Sequence, residues 1–271
     1  MSKVKDKNIE LEILISTINR ISLDFLKKMF SKHNFLDFNI LIINQTTKDN
    51  ILMSEHKKIR VINSFERGLS KSRNLALKNA IKPICLIADD DVIFLEGFKK
   101  NILEAHRNSK CPIITFQTMT SENKLYWKYP NSSRSLNGFM IRQTLSIEIT
   151  LKKDFFNQLS FDERFGLGAK FEDGENFIFL TEARKKQLKM WFVKKFISIH
   201  PPTSSSDDLT SERILYARGA INTYKYGNLA YVLMLKFVFF LLRKKYIYLN
   251  EFLSKIKIGF KGIHDYKSYI K

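Results

Sequence analysis

Cysteine is scarce in this chain of 271 residues, and no apolar run is long enough to cross a bilayer. The two cysteines, Cys85 and Cys111, fit neither a disulfide framework nor a metal-ligand spacing. The first residues are charged and lack the apolar segment of a secretory signal. We therefore expect a protein that works in the reducing cytoplasm.

Positive charge dominates the composition. The formal net charge is +19, which implies an anionic partner such as nucleic acid, an anionic lipid surface or a phosphorylated substrate. A hydrophobic content of 44% and an aromatic content of 13% indicate a folded chain. The length predicts one α/β domain with an appendage.

Apolar runs that end in polar residues alternate with helical segments in the first half of the chain. Such runs are predicted to be strands at 11–20, 38–47, 58–63 and 84–88, with helices at about 22–32 and 95–108 between or after them. Further strands are predicted at 111–118, 146–151 and 189–193. This alternation is typical of right-handed βαβ units, so we predict an α/β fold with a mostly parallel central sheet.

Three consecutive aspartates follow the apolar run Ile84 to Ala88. Ligands of open α/β sheets gather at the carboxyl ends of the strands. Asp89 and Asp91 point the same way in an extended segment, where their oxygens could hold a hard divalent cation such as Mg²⁺ or Mn²⁺. A solvated acidic turn is the alternative.

Basic residues cluster where the helix after the third strand begins. Gly68 interrupts the chain and Ser70 or Ser72 is predicted to cap this helix. Arg67, Lys71 and Arg73 then lie at its N-terminus, where the helix dipole already favours an anion. A phosphate site and an ordinary basic surface are both compatible with this pattern.

Two later loops carry groups suited to chemistry. The stretch 120–137 contains Tyr126, Trp127 and Tyr129, which could stack on sugar rings or simply pack the loop down. Carboxylates collect before a helix that extends to about residue 187, where they could cap the helix or act as a general base: Glu172, Asp173 and Glu175. His200 follows a strand and precedes two prolines, as a structural residue or a metal or phosphate ligand.

The C-terminal part is helical, apolar and basic. Residues 229–242 contain one lysine and Arg243-Lys-Lys follows at once. Fourteen residues are short of the roughly twenty that span a bilayer, so an interfacial anchor on an anionic membrane and a helix packed on the domain are both possible.

Taken in order, these features resemble a family 2 glycosyltransferase with the GT-A fold, of the type that builds bacterial surface polysaccharides such as capsule or O-antigen. The resemblance runs from Glu12 to about Ser205. It rests on five elements in the family's order: Ile15–Arg20, the Gly-x-x-x-x-Arg-Asn element at Gly68–Asn74, the Asp-x-Asp motif at Asp89–Asp91, the acceptor-side loop Phe165–Ala169 with Gly174-Glu-Asn176, and His200.

The resemblance implies a Rossmann-like GT-A domain at residues 1–205 and a membrane-associating helical extension at 206–271. It implies an inverting transfer from a nucleoside-diphosphate sugar to a saccharide hydroxyl. Mn²⁺ or Mg²⁺ would be held by Asp89, Asp91 and His200. The donor would be bound by Ser16, Thr17, Asn44, Gln45, Arg73, Asp89 and Asp90. The acceptor is expected to be lipid-linked, on the inner face of the cell membrane; no nucleic acid is expected, and no oligomeric state is assigned.

The chain departs from the family pattern at two places. Strand two ends in Asn44-Gln-Thr-Thr47 instead of an acidic turn, and the Glu-Asp pair of the acceptor loop is Glu175-Asn176. An amide cannot accept a proton, so Glu175 is predicted to be the catalytic base, with Asp173 second.

Other functions compete with this hypothesis. A sugar nucleotidyltransferase would also use metal-bound carboxylates, but the chain lacks the usual Gly-rich N-terminal phosphate loop. A nucleic-acid-binding protein fits the charge, although no recognised motif is present. An inactive membrane-bound adaptor with the same fold would be compatible with Asn176.

Overall fold

The structure is a computed structural model that describes residues 9–201 and 208–269. The strands in chain order are β1 (Leu11–Ile18), β2 (Asn39–Gln45), β3 (Ile59–Ser64), β4 (Ile84–Asp89), β5 (Ile93–Phe94), β6 (Ile113–Thr120), β7 (Arg134–Ser135), β8 (Ile149–Lys152) and β9 (Met190–His200). The helices are α1 (Asp24–Met29), α2 (Leu69–Asn79), α3 (Phe98–Asn108), α4 (Gly138–Gln143), α5 (Glu175–Lys185), α6 (Glu212–Tyr226), α7 (Ala230–Arg243) and α8 (Phe252–Tyr269).

The chain divides into two compact units. The sheet unit contains the described residues 9–67, 71–161 and 179–201, and the helical unit contains 68–70, 162–178 and 208–269. The division predicted at residues 205 and 206 stays a prediction. In the structure, the segment 162–178 belongs with the C-terminal helices.

The sheet unit is built on one sheet with the strand order β3-β2-β1-β4-β8-β6-β9-β5, and β7 pairs with β9. Strands β3, β2, β1 and β4 are parallel neighbours, as their β-branched apolar runs predict. Strand β8 lies antiparallel between β4 and β6, and β6 is parallel to β9. The prediction of a mostly parallel α/β sheet flanked by helices is confirmed.

The core of the sheet unit lies on the faces of these strands. Ile13, Ile15, Ile40, Ile42 and Leu86 are fully or almost fully buried in it. Aromatic rings extend this core, and the rings of Phe94 and Phe98 stack with their centroids 4.5 Å apart. Strands β1, β2 and β4 bury both faces over most of their length, and each has polar residues at or next to its carboxyl end.

Within the helical unit, α6 and α8 approach so closely that glycine is required at the contact. A Cβ at Gly262 would lie 2.0 Å from the carbonyl oxygen of Tyr216, and one at Gly219 would lie 2.1 Å from that of Gly259. Helix α7 packs beside them through Ala230, Met234, Val238 and Leu241. One face of α7 is therefore packed within the helical unit. The two sequence hypotheses, an anchor on a membrane and a helix packed on the domain, both stay predictions.

Helices α6 and α7 also form a longer apolar stretch than the sequence run suggested. Within the described residues, the span 212–243 is the one helical stretch long and apolar enough to cross a membrane, by length and composition only. A core helix of a soluble protein can satisfy the same criteria.

Candidate active site

The predicted donor residues come together because parallel strands end at the same edge of the sheet. The register pairs Ser16 of β1 with Asp89 of β4, and Thr17 of β1 with Asn44 of β2. Polar groups from three neighbouring strands thus meet at the carboxyl edge of the sheet, where ligands of such sheets bind.

Asp89 is fixed by two side chains from other parts of the sheet unit. Arg73 of α2 is 3% exposed, and its Nη2 donates to Asp89 Oδ1 at 3.0 Å. The hydroxyl of Ser146 donates to Asp89 Oδ2 at 3.0 Å. The Arg73 guanidinium also lies 5.5 Å from the ring centroid of Phe161. The basic start of α2 thus contacts the aspartate strand directly, and the predicted contact of Arg73 with a phosphate stays a prediction.

Asp90 is held by Arg20, a residue with no predicted role of its own. Arg20 donates to Asp90 Oδ2 from Nε at 2.9 Å and from Nη2 at 2.7 Å. The hydroxyl of Thr17 donates to the same oxygen. Arg20 could have been noticed only as a cation directly after a buried strand, and Ser146 gave no signal at all.

Asp91 faces His200, which lies at the end of β9. The Nε2 atom of His200 is 3.5 Å from Asp91 Oδ1, and the Nδ1 atom is 2.8 Å from the carbonyl oxygen of Pro201. A carbonyl can only accept, so the Nδ1 atom of His200 donates to it, and the Nε2 atom faces Asp91. Burial raises the pKa of the Asp91 carboxyl, and the charges of Asp89 and Asp90 raise it further against the opposing charge of His200.

These groups fit a divalent cation in part. Two ligands of one octahedral ion lie about 3 Å apart when its bonds are about 2.1 Å, so Asp91 and His200 are close to a ligand pair. Across residues 9–201 and 208–269, however, no three His, Cys, Asp or Glu side chains are gathered as a metal-ligand set. Asp89 is instead engaged by Arg73 and Ser146, so a three-residue set would have to form when a ligand binds.

The predicted nucleoside residues are buried. Ser16 accepts a hydrogen bond from the Ser72 hydroxyl at 2.9 Å. The Asn44 side chain accepts from the Arg20 backbone amide and donates to the Arg20 carbonyl and to Asn63 Oδ1. Asn44 thus braces the loop after β1, and its contact with a nucleoside stays a prediction, as does that of the buried Gln45.

Helix α2 begins at Leu69, before either predicted capping serine, so that prediction is wrong. In the helical unit, the Ser70 hydroxyl donates to the Phe165 carbonyl at 2.6 Å and the Leu69 amide donates to the Leu167 carbonyl at 2.9 Å. These bonds fix the glycine-rich start of the predicted acceptor loop. Gly166 adopts φ +98°, a conformation that favours glycine.

The carboxylates of the acceptor loop lie against helix α6. Arg213 Nη1 donates to the Glu172 carbonyl at 2.9 Å, and Glu172 Oε1 accepts from the Gly168 amide at 3.0 Å. Glu175 is buried at the first position of α5. Burial, together with the charge of Glu175, raises the pKa of the Asp173 carboxyl to about 6, although Arg218 and Arg213 oppose the shift.

The aromatic residues of the 120–137 loop pack it onto the sheet unit. The Tyr129 hydroxyl donates to the fully buried carboxyl of Glu148, and the Thr118 amide donates to that hydroxyl at 3.1 Å. The ring of Tyr126 lies edge-on to His200 with centroids 5.5 Å apart. Tyr129 therefore packs the loop down, which is one of the two sequence hypotheses for these aromatic residues.

Comparison with known proteins adds a family and a fold. The family model described as Glycosyl transferase family 2 matches residues 12–167. The crystal structure of S. aureus TarS 1–349 is similar at 12% identity with a TM-score of 0.57, covering 94% of this chain and 81% of that one. Its complex with UDP-GlcNAc gives 13% identity, a TM-score of 0.59, and 94% and 82% coverage.

The complex of TarS 1–349 with UDP gives 14% identity and a TM-score of 0.53, covering 90% of this chain and 77% of that one. At such identities the likeness shows the fold alone. No curated protein sequence matches this chain.

Proposed function

Because the chain belongs to glycosyl transferase family 2, we propose that it moves a sugar from a nucleoside-diphosphate sugar to a hydroxyl of a saccharide acceptor, with inversion at the anomeric carbon. The observation that carries this proposal is the arrangement of three consecutive aspartates at the carboxyl end of β4. Each faces a different group: Asp89 and Asp90 are paired with Arg73 and Arg20, and Asp91 faces His200.

The donor half of the reaction requires binding of a diphosphate. Arg73 is buried and pre-oriented by Asp89, which lowers the entropy cost of fixing its guanidinium for a phosphate. Ser16, Thr17, Asn44 and Gln45 would support the nucleoside at the ends of β1 and β2. TarS has been solved with UDP-GlcNAc and with UDP, which supports a uridine-diphosphate sugar as the first donor to test.

A divalent cation, Mn²⁺ or Mg²⁺, would be held by Asp91 and His200, with Asp89 as a third ligand once the diphosphate is present. A bound cation would offset the negative charge that develops on the departing nucleoside diphosphate. An imidazole ligand beside carboxylates suits Mn²⁺ better than Mg²⁺, because Mg²⁺ prefers oxygen. Arg73 and Arg20 offset the charges of Asp89 and Asp90, so a cation at Asp91 would offset the third carboxylate beside the diphosphate.

The acceptor half requires a base on the 172–175 loop. The acceptor oxygen attacks the anomeric carbon, the bond from that carbon to the diphosphate oxygen breaks, and the hydroxyl proton passes to the carboxylate. An efficient general base has a pKa near the working pH, and the Asp173 carboxyl has a pKa of about 6. We therefore place Asp173 ahead of Glu175, whose negative charge raises the basicity of Asp173.

The proposed acceptor is a lipid-linked saccharide in the synthesis of a bacterial surface polysaccharide such as capsule or O-antigen. The net charge of +19 supports this acceptor. A lipid-linked saccharide has an anionic linkage and lies at an anionic membrane surface, and both attract a positively charged protein. In the described residues, no feature specifically favours a nucleotidyltransferase or a nucleic-acid-binding function.

Calorimetric titration with UDP, GDP, CDP and dTDP, each with and without Mn²⁺, tests the donor half. We expect one diphosphate to bind in a metal-dependent manner and Asp91→Ala to lose that dependence. The matched control is Asp154→Ala, which lies just after β8 at the edge where β4 begins, away from the aspartates. If Asp91→Ala still binds the diphosphate in a metal-dependent manner, Asp91 is not a metal ligand. If the wild type binds none of the four diphosphates, the proposal is overturned.

A further inference from the structure

An exposed apolar stripe runs along α7 in the helical unit. Its members lie three or four positions apart, as residues on one face of a helix do: Leu229, just before α7, is 53% exposed, Val232 57%, Leu235 43% and Phe239 58%. Further exposed apolar residues follow in the chain: Tyr246, Tyr248 and Leu249 between α7 and α8, and Leu253 on α8, which are 58–80% exposed. Contiguous exposed apolar side chains of this kind usually mark a binding surface.

Cations border this stripe and anions are almost absent. Lys236 adjoins Leu235, and Arg243, Lys244 and Lys245 follow at the end of α7, all of them exposed. Between residues 226 and 261, Glu251 is the one acidic residue. In the part of the chain that the structure describes, none of these four cations forms an ion pair with a carboxylate. The surface is thus apolar in the middle and positive along its border.

The opposite face of α7 already has its partners. Ala230, Met234, Val238 and Leu241 are buried against the neighbouring helices, and the Met234 methyl group lies 2.3 Å from the position that a Cβ at Gly259 would take. The exposed stripe is therefore fixed outward, and it cannot be buried by rotating α7 without losing this packing.

Three partners could cover the apolar stripe: a second copy of this chain, the interior of a bilayer that the helix spans, or the surface of an anionic bilayer. The charge pattern distinguishes them. Two copies of the stripe would bring Lys236 and Arg243–Lys245 of each chain together, and like charges repel. The span 212–243 is long and apolar enough to cross a bilayer, but its α6 half buries Asn222 and Thr223 inside the unit. Helix α7 alone has 14 residues, fewer than the roughly 20 that span a bilayer. An anionic bilayer surface matches both parts of the pattern, because apolar and aromatic side chains enter the headgroup boundary while lysines and arginines meet the phosphates.

We propose that the α7 stripe and its basic border dock the protein on an anionic lipid bilayer, with α7 lying in the interface. This docking would also serve the proposed transfer to a lipid-linked acceptor, and to that extent it rests on the proposed function. Helix α6 contacts both the acceptor loop and α7. Arg213 donates to the Glu172 carbonyl of that loop, and the Arg218 guanidinium lies 3.7 Å from the ring centroid of Phe237 on α7.

Co-sedimentation of the full chain with vesicles tests this surface. We expect binding to phosphatidylcholine vesicles that contain 30% phosphatidylglycerol, and little binding to phosphatidylcholine alone. Phe239→Glu should weaken binding about tenfold or more, since inserting one large apolar side chain is worth roughly 1.5–3 kcal/mol. Phe65→Glu is the matched control, because Phe65 is also 58% exposed but belongs to the sheet unit, and its binding should be unchanged.

A charge-matched pair separates the local border from the net charge. The double variant Lys244→Glu/Lys245→Glu should bind at least about thirtyfold more weakly, at roughly 1 kcal/mol per lysine near an anionic surface. The variant Lys57→Glu/Lys58→Glu changes the net charge equally at exposed sites of the sheet unit and should bind as the wild type does. Equal losses in both would show that only the overall charge matters and would overturn the proposal.

Three other outcomes would overturn it. They are binding that resists alkaline carbonate, which indicates a spanning helix; a dimer in solution that Phe239→Glu dissociates without any lipid binding; and equal binding to neutral and anionic vesicles. Calorimetry with the nucleoside diphosphate on the same samples keeps the two proposals apart. A protein that binds the diphosphate but no vesicle retains the proposed function and loses only the docking surface.

Discussion

Glu148 should make the stability of this protein depend on pH in a direction opposite to that of an ordinary acidic residue. Its carboxyl is fully buried, accepts from the Leu145 amide at 3.1 Å, and contacts the Tyr129 hydroxyl. Burial raises the pKa of the Glu148 carboxyl from 4.5 to about 8, despite the opposing hydrogen bond from Tyr129. The neutral acid can instead donate to Tyr129 Oη, which then donates to the Thr118 carbonyl at 3.4 Å.

The magnitude follows from this pKa difference. The unfolded chain releases the proton above pH 4.5, whereas the folded chain keeps it until about pH 8. The stabilisation from this group is complete below pH 4.5 and is lost as the pH rises through 8. One pH unit within the window corresponds to about 1.4 kcal/mol of unfolding free energy, so this site lowers stability by roughly 4 kcal/mol between pH 5 and 8.

Urea unfolding at pH 5, 6, 7 and 8 of the wild type and Glu148→Gln measures this effect. The amide is a neutral isostere that can donate to Tyr129 Oη and accept from Leu145, so the variant should lose the slope but retain the fold. Other titrating groups cancel in the difference between the two proteins. Glu55→Gln, at an exposed position, is the control and should run parallel to the wild type. A difference between wild type and Glu148→Gln that stays constant with pH would refute the reasoning.

Three further substitutions test the helical unit. Asp173→Asn should lower transfer at least about a hundredfold and leave donor binding intact, while Glu175→Gln should keep turnover and move the acidic limb of the pH–rate profile to lower pH, because it removes the charge that raises the Asp173 pKa. An inactive Glu175→Gln with an active Asp173→Asn would return the role to Glu175. Gly262→Ala should lower the unfolding free energy by about 2 kcal/mol or more, since its Cβ would lie 2.0 Å from a backbone oxygen that cannot rotate away. Denaturation of Gly262→Ala beside the exposed control Lys261→Ala checks this, and equal midpoints would contradict the close helix contact.

Much of the fold, and the polar residues at the carboxyl edge of the sheet, could be predicted from local sequence. Strands buried on both faces must be continuous apolar runs, so Ile84 to Ala88 identified β4 and placed Asp89 at its carboxyl end. The alternation of such runs with helices predicts parallel neighbours, which gather Ser16, Thr17 and Asn44 at one edge. The basic start of α2 indicated an anion near Arg73, and the structure gives that residue the Asp89 carboxylate.

The partners of these residues were decided by the tertiary structure alone. His200 meets Asp91 across 109 positions because β9 ends at the same sheet edge, and Ser146 reaches Asp89 because β8 is inserted antiparallel beside β4. Local pattern carries no information on which distant strands become neighbours. The same holds for burial: Glu148 is an ordinary glutamate in sequence, and only its enclosure changes its pKa.

The C-terminal helices show the same division. The sequence determined that residues 229–242 are apolar and followed by cations, which made an interfacial helix and a packed helix equally compatible with the pattern. Packing against α6 and α8 selected the buried face and left Val232, Leu235 and Phe239 outside. An apolar helix of uniform composition has no intrinsic inner side, so only its neighbours determine which residues remain exposed.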